Sequence, residues 1–381
     1  MTHGIKTWTF EFHVIPGRGV PDYEDPQLVQ QTFDRNLRRL VELEGYGFEG
    51  VFFSEHHFLN SLSPVPNLLI AAVAKMTTRL RLGVMGNVLP FHQPWRLAEE
   101  LATLDYLTDG RLEVGMASGI PPEFLFVGIP AEEVRPRYAE ILDFLDLARA
   151  QKFVTHKGPY YDLEDVPSMP RPRQEARRRH WMTIYSPETA ASAARRDYKV
   201  CTGYQASASA KVAFDAYRAA ADDAARDCSP DDLGVRRQVL ICDSDAQAAE
   251  LHAELLERDK ARLDAIFSMV FDRVAKVAGQ QMMTSSQKES GVMDAASLPG
   301  GGSQPPAKQT GSGALPIDFA SEYLYGSPTT VTEKIVEQLR YIGAGNLMQY
   351  HAQSMTEDEL DTHYKLFSSI IPELAAADVQ A

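Results

Sequence analysis

Cysteine is scarce in this chain: Cys201, Cys228 and Cys242 are all there is in 381 residues, and they show no paired spacing. That excludes a disulfide framework and a thiolate metal knuckle, so neither is expected to hold the fold together. Basic charge is also short. The 38 Lys and Arg residues are outnumbered by 52 Asp and Glu, giving a formal net charge of −14, whereas a nucleic-acid partner calls for a basic face. No apolar run is long enough to cross a membrane. Met1 to Phe10 lacks a basic segment followed by an apolar stretch, so no signal peptide is expected. No Gly-x-Gly-x-x-Gly follows the first predicted strand, which counts against an open dinucleotide-binding sheet. The expectation is a soluble, globular protein of the reducing cytoplasm, with 44% hydrophobic and 24% charged residues.

What is present is organised around Gly50 to Leu59. Val51, Phe52 and Phe53 form a short apolar run suited to a strand buried on both faces. It breaks into Ser54, Glu55, His56 and His57, and polar chemistry at the carboxyl end of a buried strand is where α/β enzymes keep their active sites. Burying an acid and two imidazoles is costly unless each finds a partner. Similar runs predict strands at Lys6–Val14, Leu80–Val84, Arg111–Met116, Trp181–Tyr185, Lys199–Gly203, Val235–Cys242 and Asn346–Tyr350. Helical spacing or proline-opened starts fill most of the gaps: Gln27–Glu44, Pro64–Met76, Pro90–Leu107, Glu132–Gln151, Pro187–Arg195, Ala208–Arg226, Asp245 to about Val277, Pro328–Ile342 and Glu357–Ala376. Phe153 to Arg179 reads as a proline-rich excursion with a basic, solvated end. Ser285 to Gly313, rich in Gly, Ser, Gln and Pro, reads as a mobile loop. Eight strands alternating with helices predict parallel pairing through crossovers, and one closed (β/α)8 barrel spanning residues 1–381.

Several segments together carry a resemblance. They are Gly47-Phe48 through Glu55-His56-His57-Phe58; Leu82-Gly83 through Asn87-Val88-Leu89-Pro90; Pro94 with Arg96, Ala98 and Glu99; Leu104-Asp105 with Asp109-Gly110-Arg111; Gly115 to Gly119; Tyr185-Ser186-Pro187-Glu188-Thr189; and Gly326-Ser327-Pro328. In order and spacing the chain resembles the bacterial luciferase-like flavin-dependent monooxygenases. The resemblance implies a TIM barrel with an insertion after strand 7, reduced FMN supplied by a separate flavin reductase, and oxygen used to oxygenate a small organic substrate. It also implies a homodimer formed through the helices beside strands two and three. Two alternatives stay open: a deazaflavin (F420)-dependent oxidoreductase on the same barrel, and a non-catalytic flavin-binding subunit.

The same resemblance assigns roles. His56 matches the catalytic histidine after strand two, and an imidazole exchanges protons near neutral pH. His57 points the other way if strand alternation persists and is expected to be structural. Glu55 is expected to orient His56 or to pair with a basic group. Met85-Gly86-Asn87 ends strand three, where the family often carries a non-proline cis peptide against the flavin. Gly86 eases approach of a planar ring, and the Asn87 amide suits the polar edge of an isoalloxazine or, equally, a turn. Tyr185, Ser186 and Thr189 fall where the family holds the FMN phosphate; Ser186 as N-cap and Pro187 in the first turn are good helix-start chemistry by themselves. Ser118 stands where the luciferases carry a phosphate-contacting arginine, with Arg111 too far down its strand to replace it. Gly119 lets backbone approach the cofactor. Phe12, Tyr204 and Tyr350 are candidate walls of a substrate pocket, and the loop at 285–313 is a candidate lid.

Overall fold

The computed structural model describes residues 3–58, 61–173, 180–278 and 322–379. Eight strands form a closed parallel ring. Around it run β1 (Lys6–Glu11), β2 (Gly50–Phe53), β3 (Arg81–Val88), β4 (Leu112–Ala117), β7 (His180–Ile184), β8 (Lys199–Thr202), β9 (Leu233–Ile241) and β11 (Asn346–Tyr350), with β11 pairing back onto β1. Each of the eight expected strands is present, with ends that differ by a few residues. Two further strands, β5 (Phe153–Lys157) and β6 (Asp162–Pro167), form an antiparallel hairpin inside the predicted excursion. A short β10 (Leu324–Gly326) adds to β9. The helices are α1 (Pro26–Tyr46), α2 (Pro66–Ala74), α3 (Pro94–Leu107), α4 (Pro121–Val127), α5 (Ala131–Ala150), α6 (Pro187–Arg195), α7 (Ser207–Asp223), α8 (Asp245–Ala278), α9 (Pro328–Ile342) and α10 (Glu357–Ala376). The loop at 285–313, and with it the lid reading, lies outside the described residues.

Strand alternation sorts the apolar side chains into two cores. Trp8, Phe10, Phe12, Phe52, Met85, Trp181, Cys201, Met348 and Tyr350 fill the barrel. Val51, Phe53, Leu82, Val84, Leu112, Val114, Ile184, Val200 and Leu347 face outward, where they pack with residues of the surrounding helices such as Leu40, Ile70, Leu97, Ile141 and Phe367. Both faces are buried, which is why these strands read as unbroken apolar runs. The barrel floor is tied by polar partners: Trp181 Nε1 donates to Glu113 Oε2 at 2.6 Å, and Trp8 Nε1 donates to Asn346 Oδ1 at 3.0 Å. Each buried indole N–H thus has the acceptor it requires.

The helix starts follow local sequence. Asp25 caps α1, accepting from the Gln27 and Leu28 amides, with Pro26 in the first turn. Ser186 caps α6 ahead of Pro187. Thr356 and Glu359 form a capping box on α10. The Pro121-Pro122 pair opens α4, a short helix on the carboxyl side of β4 that carries the fully buried Glu123.

Candidate active site

At the carboxyl end of the barrel lies a cleft with about 680 Å3 of free space, its solvent-open mouth included. It brings together residues from across the ring: Glu55 and His56 after β2, Met85 and Gly86 on β3, Ser118 and Gly119 after β4, Thr183 and Tyr185 around the end of β7, and Arg236 on β9. His56, Met85, Gly86, Ser118, Gly119 and Tyr185 were expected near one another, and all six line it. Asn87 does not. Its buried amide donates to the Gly115 carbonyl at 2.9 Å and its oxygen accepts from Asn67 Nδ2 at 3.0 Å, so it joins β3 to β4 and α2.

The histidines are held by two different carboxylates. Glu123 Oε1 lies 3.1 Å from His56 Nδ1 and accepts the His57 amide at 2.9 Å. A carboxylate only accepts, so the proton of neutral His56 sits on Nδ1 and Nε2 is left as the basic nitrogen. Phe12 stacks on His56 at 6.0 Å with planes 13° apart, which fixes the ring orientation. Glu55, expected either to orient His56 or to pair with a basic group, does the second: it binds His57 Nε2 at 3.0 Å and His92 Nε2 at 3.1 Å, and accepts the Val88 amide at 3.0 Å. Burial opposes its charge, but these hydrogen bonds prevail and hold the carboxyl down at about 2. Burial likewise opposes the charge on His92, yet Glu55 raises its pKa. His57 Nε2 is thus tied to Glu55, while His56 Nδ1 faces Glu123.

On β3 the Met85–Gly86 peptide is cis, at the position where the resemblance placed one. The need for glycine at Gly86 has a nearer cause than a cofactor: a Cβ there would meet the Met116 backbone of β4 at 2.6–2.7 Å. The β3–β4 register shifts between Val84 and Asn87 at this close approach. Gly119 has φ +83°, a left-handed conformation that favours glycine, and turns the chain from β4 toward α4. Ser118 is exposed on the rim. Arg111, as anticipated, is engaged low on the barrel, donating to the Ala74, Thr77 and Leu80 carbonyls.

Tyr185 leads directly into Ser186, whose Oγ lies 3.1 Å from Thr189 Oγ1 and accepts the Thr189 amide at 3.3 Å. Two hydroxyls and the first amides of α6 thus sit together at the positive end of a helix. Among the described residues, three buried polar atoms of cavity-lining side chains lack a hydrogen-bond partner: Glu123 Oε2, Thr183 Oγ1 and Arg236 Nε. Unpaired polar atoms are rare inside proteins, and three around one cavity suit a planar polar ligand. Glu123, Thr183 and Arg236 escaped sequence reading. The arginine had a usable signal: Val235-Arg236-Arg237-Gln238 lies in a strand, so one of the two guanidinia must face the barrel interior.

Residues 12–345 match the family model described as luciferase-like monooxygenase. The chain belongs to this family, and several of its relatives are named as monooxygenases. It is 30% identical over 254 residues to the y4wF protein of Sinorhizobium fredii, covering 64% of this chain and 74% of that one. It is 28% identical over 169 residues to the oxygenase component of the flavin-dependent trigonelline monooxygenase of Acinetobacter baylyi, 43% of this chain and 47% of that one. Among solved structures, the oxygenating constituent of the type II Baeyer–Villiger 3,6-diketocamphane monooxygenase of Pseudomonas putida, in complex with FMN, superposes with a TM-score of 0.69. That match is at 22% identity over 98% of both chains, and shows the shared fold.

Proposed function

We propose that this chain is the oxygenase component of a two-component monooxygenase: it takes reduced FMN from a transient flavin reductase partner and uses O2 to oxygenate a small organic substrate. The observation that carries the reading is the His56–Glu123 pair facing the same cavity as Met85–Gly86 and the Tyr185 that leads into α6. Support for a flavin and for a separate reductase comes from the trigonelline relative, which is named as flavin-dependent and as an oxygenase component.

In this reading the FMN phosphate would be held by the Ser186 and Thr189 hydroxyls and the α6 amides, with Ser118 standing where the luciferases carry an arginine. Met85, Gly86, Ser118, Gly119 and Tyr185, which line the cavity, would hold the isoalloxazine. Bound reduced flavin supplies two electrons to O2, so that one oxygen atom enters the substrate and the other leaves as water. The chain's own contribution is binding, orientation, exclusion of water by the aromatic barrel interior, and movement of a proton at His56 Nε2.

No helix among the described residues is long and apolar enough to cross a membrane, and we place the protein in the cytoplasm, where reduced flavin is made. On the outer surface, α2 and α3 expose Leu68, Trp95 and Tyr106. We assign that face to a homodimer; a monomeric mass in solution at micromolar concentration would remove the assignment.

Reconstitution tests the main reading. Purified protein is mixed with chemically reduced FMN or reduced F420 under air, with a panel of small organic substrates. Oxygenated product with FMN is the expected result. Exclusive binding of F420 would move the chain to deazaflavin hydride transfer. FMN binding with no turnover across the panel would make it a flavin-binding subunit.

A further inference from the structure

Arg236 is the most anomalous side chain in the cavity. It sits on β9, where alternation turns it into the barrel, and it is 6% exposed. A guanidinium cannot shed its charge at any physiological pH, so its burial requires compensation. Its sequence neighbour Arg237 has that compensation: it donates to Gln338 Oε1 at 2.9 Å and lies 3.5 Å from Glu322. Arg236 has no carboxylate within ion-pair distance among the described residues. Its contacts are the Tyr185 hydroxyl, to which it donates at 3.0 Å, and the ring faces of Phe10 and Tyr204, each 4.7 Å away. Its Nε is buried with no acceptor. Ring faces and one phenol orient the fork without neutralising it.

The place of Arg236 in the ring narrows what it serves. Counting round the barrel in either direction, β9 is four strands from β3, so it stands opposite the Met85–Gly86 wall. Thr183 and Tyr185 share an alternation phase at the end of β7, and both line the cavity with Arg236. The arginine wall therefore offers a planar fork, a phenol and an unpaired Thr183 hydroxyl, walled by aromatic rings. Such a set fits a planar carboxylate on a flat apolar body.

We infer that Arg236 is a substrate-binding residue: it receives the carboxylate of a small aromatic acid, with the Tyr185 and Thr183 hydroxyls beside it and the acid's body extending toward His56. The inference rests on the flavin-monooxygenase reading, which gives the opposite wall to the isoalloxazine. It converts that reading's unnamed substrate into a chemical class. The reduced flavin offers a rival anion, because its pyrimidine edge carries negative charge near neutral pH.

Benzoate and benzamide, alike in shape and different in charge, separate these cases. Binding of each to the wild-type protein is measured by anaerobic calorimetry with saturating chemically reduced FMN, alongside binding of the reduced FMN itself. Benzoate is expected to bind at least about tenfold more tightly than benzamide, the effect of one charge-assisted contact. In Arg236→Gln that preference should vanish while FMN affinity stays within about twofold. Equal binding of the two probes to wild type overturns the inference, and needs no variant to fold. Loss of FMN affinity in Arg236→Gln with the benzoate preference retained also overturns it, and gives the arginine to the flavin. If wild type binds FMN and ignores charge, the arginine assignment alone falls; if it binds no FMN, the reading beneath it falls.

Discussion

Glu123 and His56 come from segments 67 residues apart, yet one carboxylate oxygen lies 3.1 Å from His56 Nδ1 and also accepts the His57 amide at 2.9 Å. The α4 turn is thereby clamped to the loop after β2. In the proton-transfer role proposed for His56, Glu123 sets its tautomer and orientation. His56→Ala is expected to lower kcat by about 100-fold or more, in the range of general acid–base removal. Glu123→Gln keeps the shape but loses the carboxylate that fixes the tautomer, so about a tenfold fall in kcat is expected. FMN affinity should move by less than about threefold in both. Stopped kinetics on a substrate found by reconstitution, with parallel flavin titration, checks this; an unchanged kcat in His56→Ala removes the proton-transfer role.

The phosphate assignment separates from the ring assignment by choice of ligand. Ser186→Ala and Thr189→Ala each remove one hydroxyl from the α6 start, worth about 1–2 kcal/mol when the acceptor is charged. FMN should bind roughly 5- to 30-fold more weakly to each variant. Riboflavin has the same ring and no phosphate, so its affinity should hardly change. Equal losses for both ligands would show that the helix start does not hold the phosphate. Ser186 also caps α6, so thermal melting of the free protein must be compared; a cap loss costs about 1 kcal/mol.

The barrel was legible because its strands are buried on both faces. Val51-Phe52-Phe53 and Leu82 to Val84 carry no polar interruption to confuse the pattern, and helix starts such as Ser186-Pro187 announce themselves. The β5–β6 hairpin was hidden for the opposite reason. It lies on the surface, its exposed residues include Phe153, Asp162 and Glu164, and it buries too little to leave a periodic signature. Glu123 was invisible because a single acid in a seven-residue helix has no spacing to read. Of the two partners open to Glu55, the basic group is the one found: it reaches His57 and His92 rather than His56, whose carboxylate is the long-range partner Glu123.

Acid stability is set by buried imidazoles outside the cavity. Burial lowers His13 to about 4, against the opposing charge of Glu11, and lowers His363 to about 3 with help from His351. Above pH 6.5 both are neutral folded or unfolded and contribute nothing to pH dependence. As pH falls below 6.5 the unfolded chain takes up protons that the folded chain refuses, so stability falls. The slope is up to about 1.4 kcal/mol per pH unit for each group, down to its folded pKa. Glu55, held at about 2, adds a similar loss between about 4.5 and 2. His92, raised by Glu55, acts in the other direction, its contribution being lost as pH rises past its folded value. Urea midpoints at pH 7.5, 6.5, 5.5 and 4.5 should be level at first and then fall steeply. A flat series would mean that these imidazoles are protonated in the folded protein.

Gly86 tests whether the wall assigned to the flavin is set by strand packing. The missing side chain would lie 2.6 Å from the Met116 carbonyl carbon and 2.7 Å from its nitrogen, backbone atoms with no rotamer to escape into. In Gly86→Ala β3 and β4 must separate at their register shift, at a cost of about 1–3 kcal/mol typical of overpacking. For a chain of this size that is a melting-temperature drop of about 1–4 °C. Gly45→Ala is the control: it lies in α1 with nothing within 4 Å of the added carbon, and helix propensity favours alanine there by up to about 1 kcal/mol. If Gly86→Ala melts with wild type and loses only FMN affinity, the glycine serves the cofactor and the packing explanation is wrong.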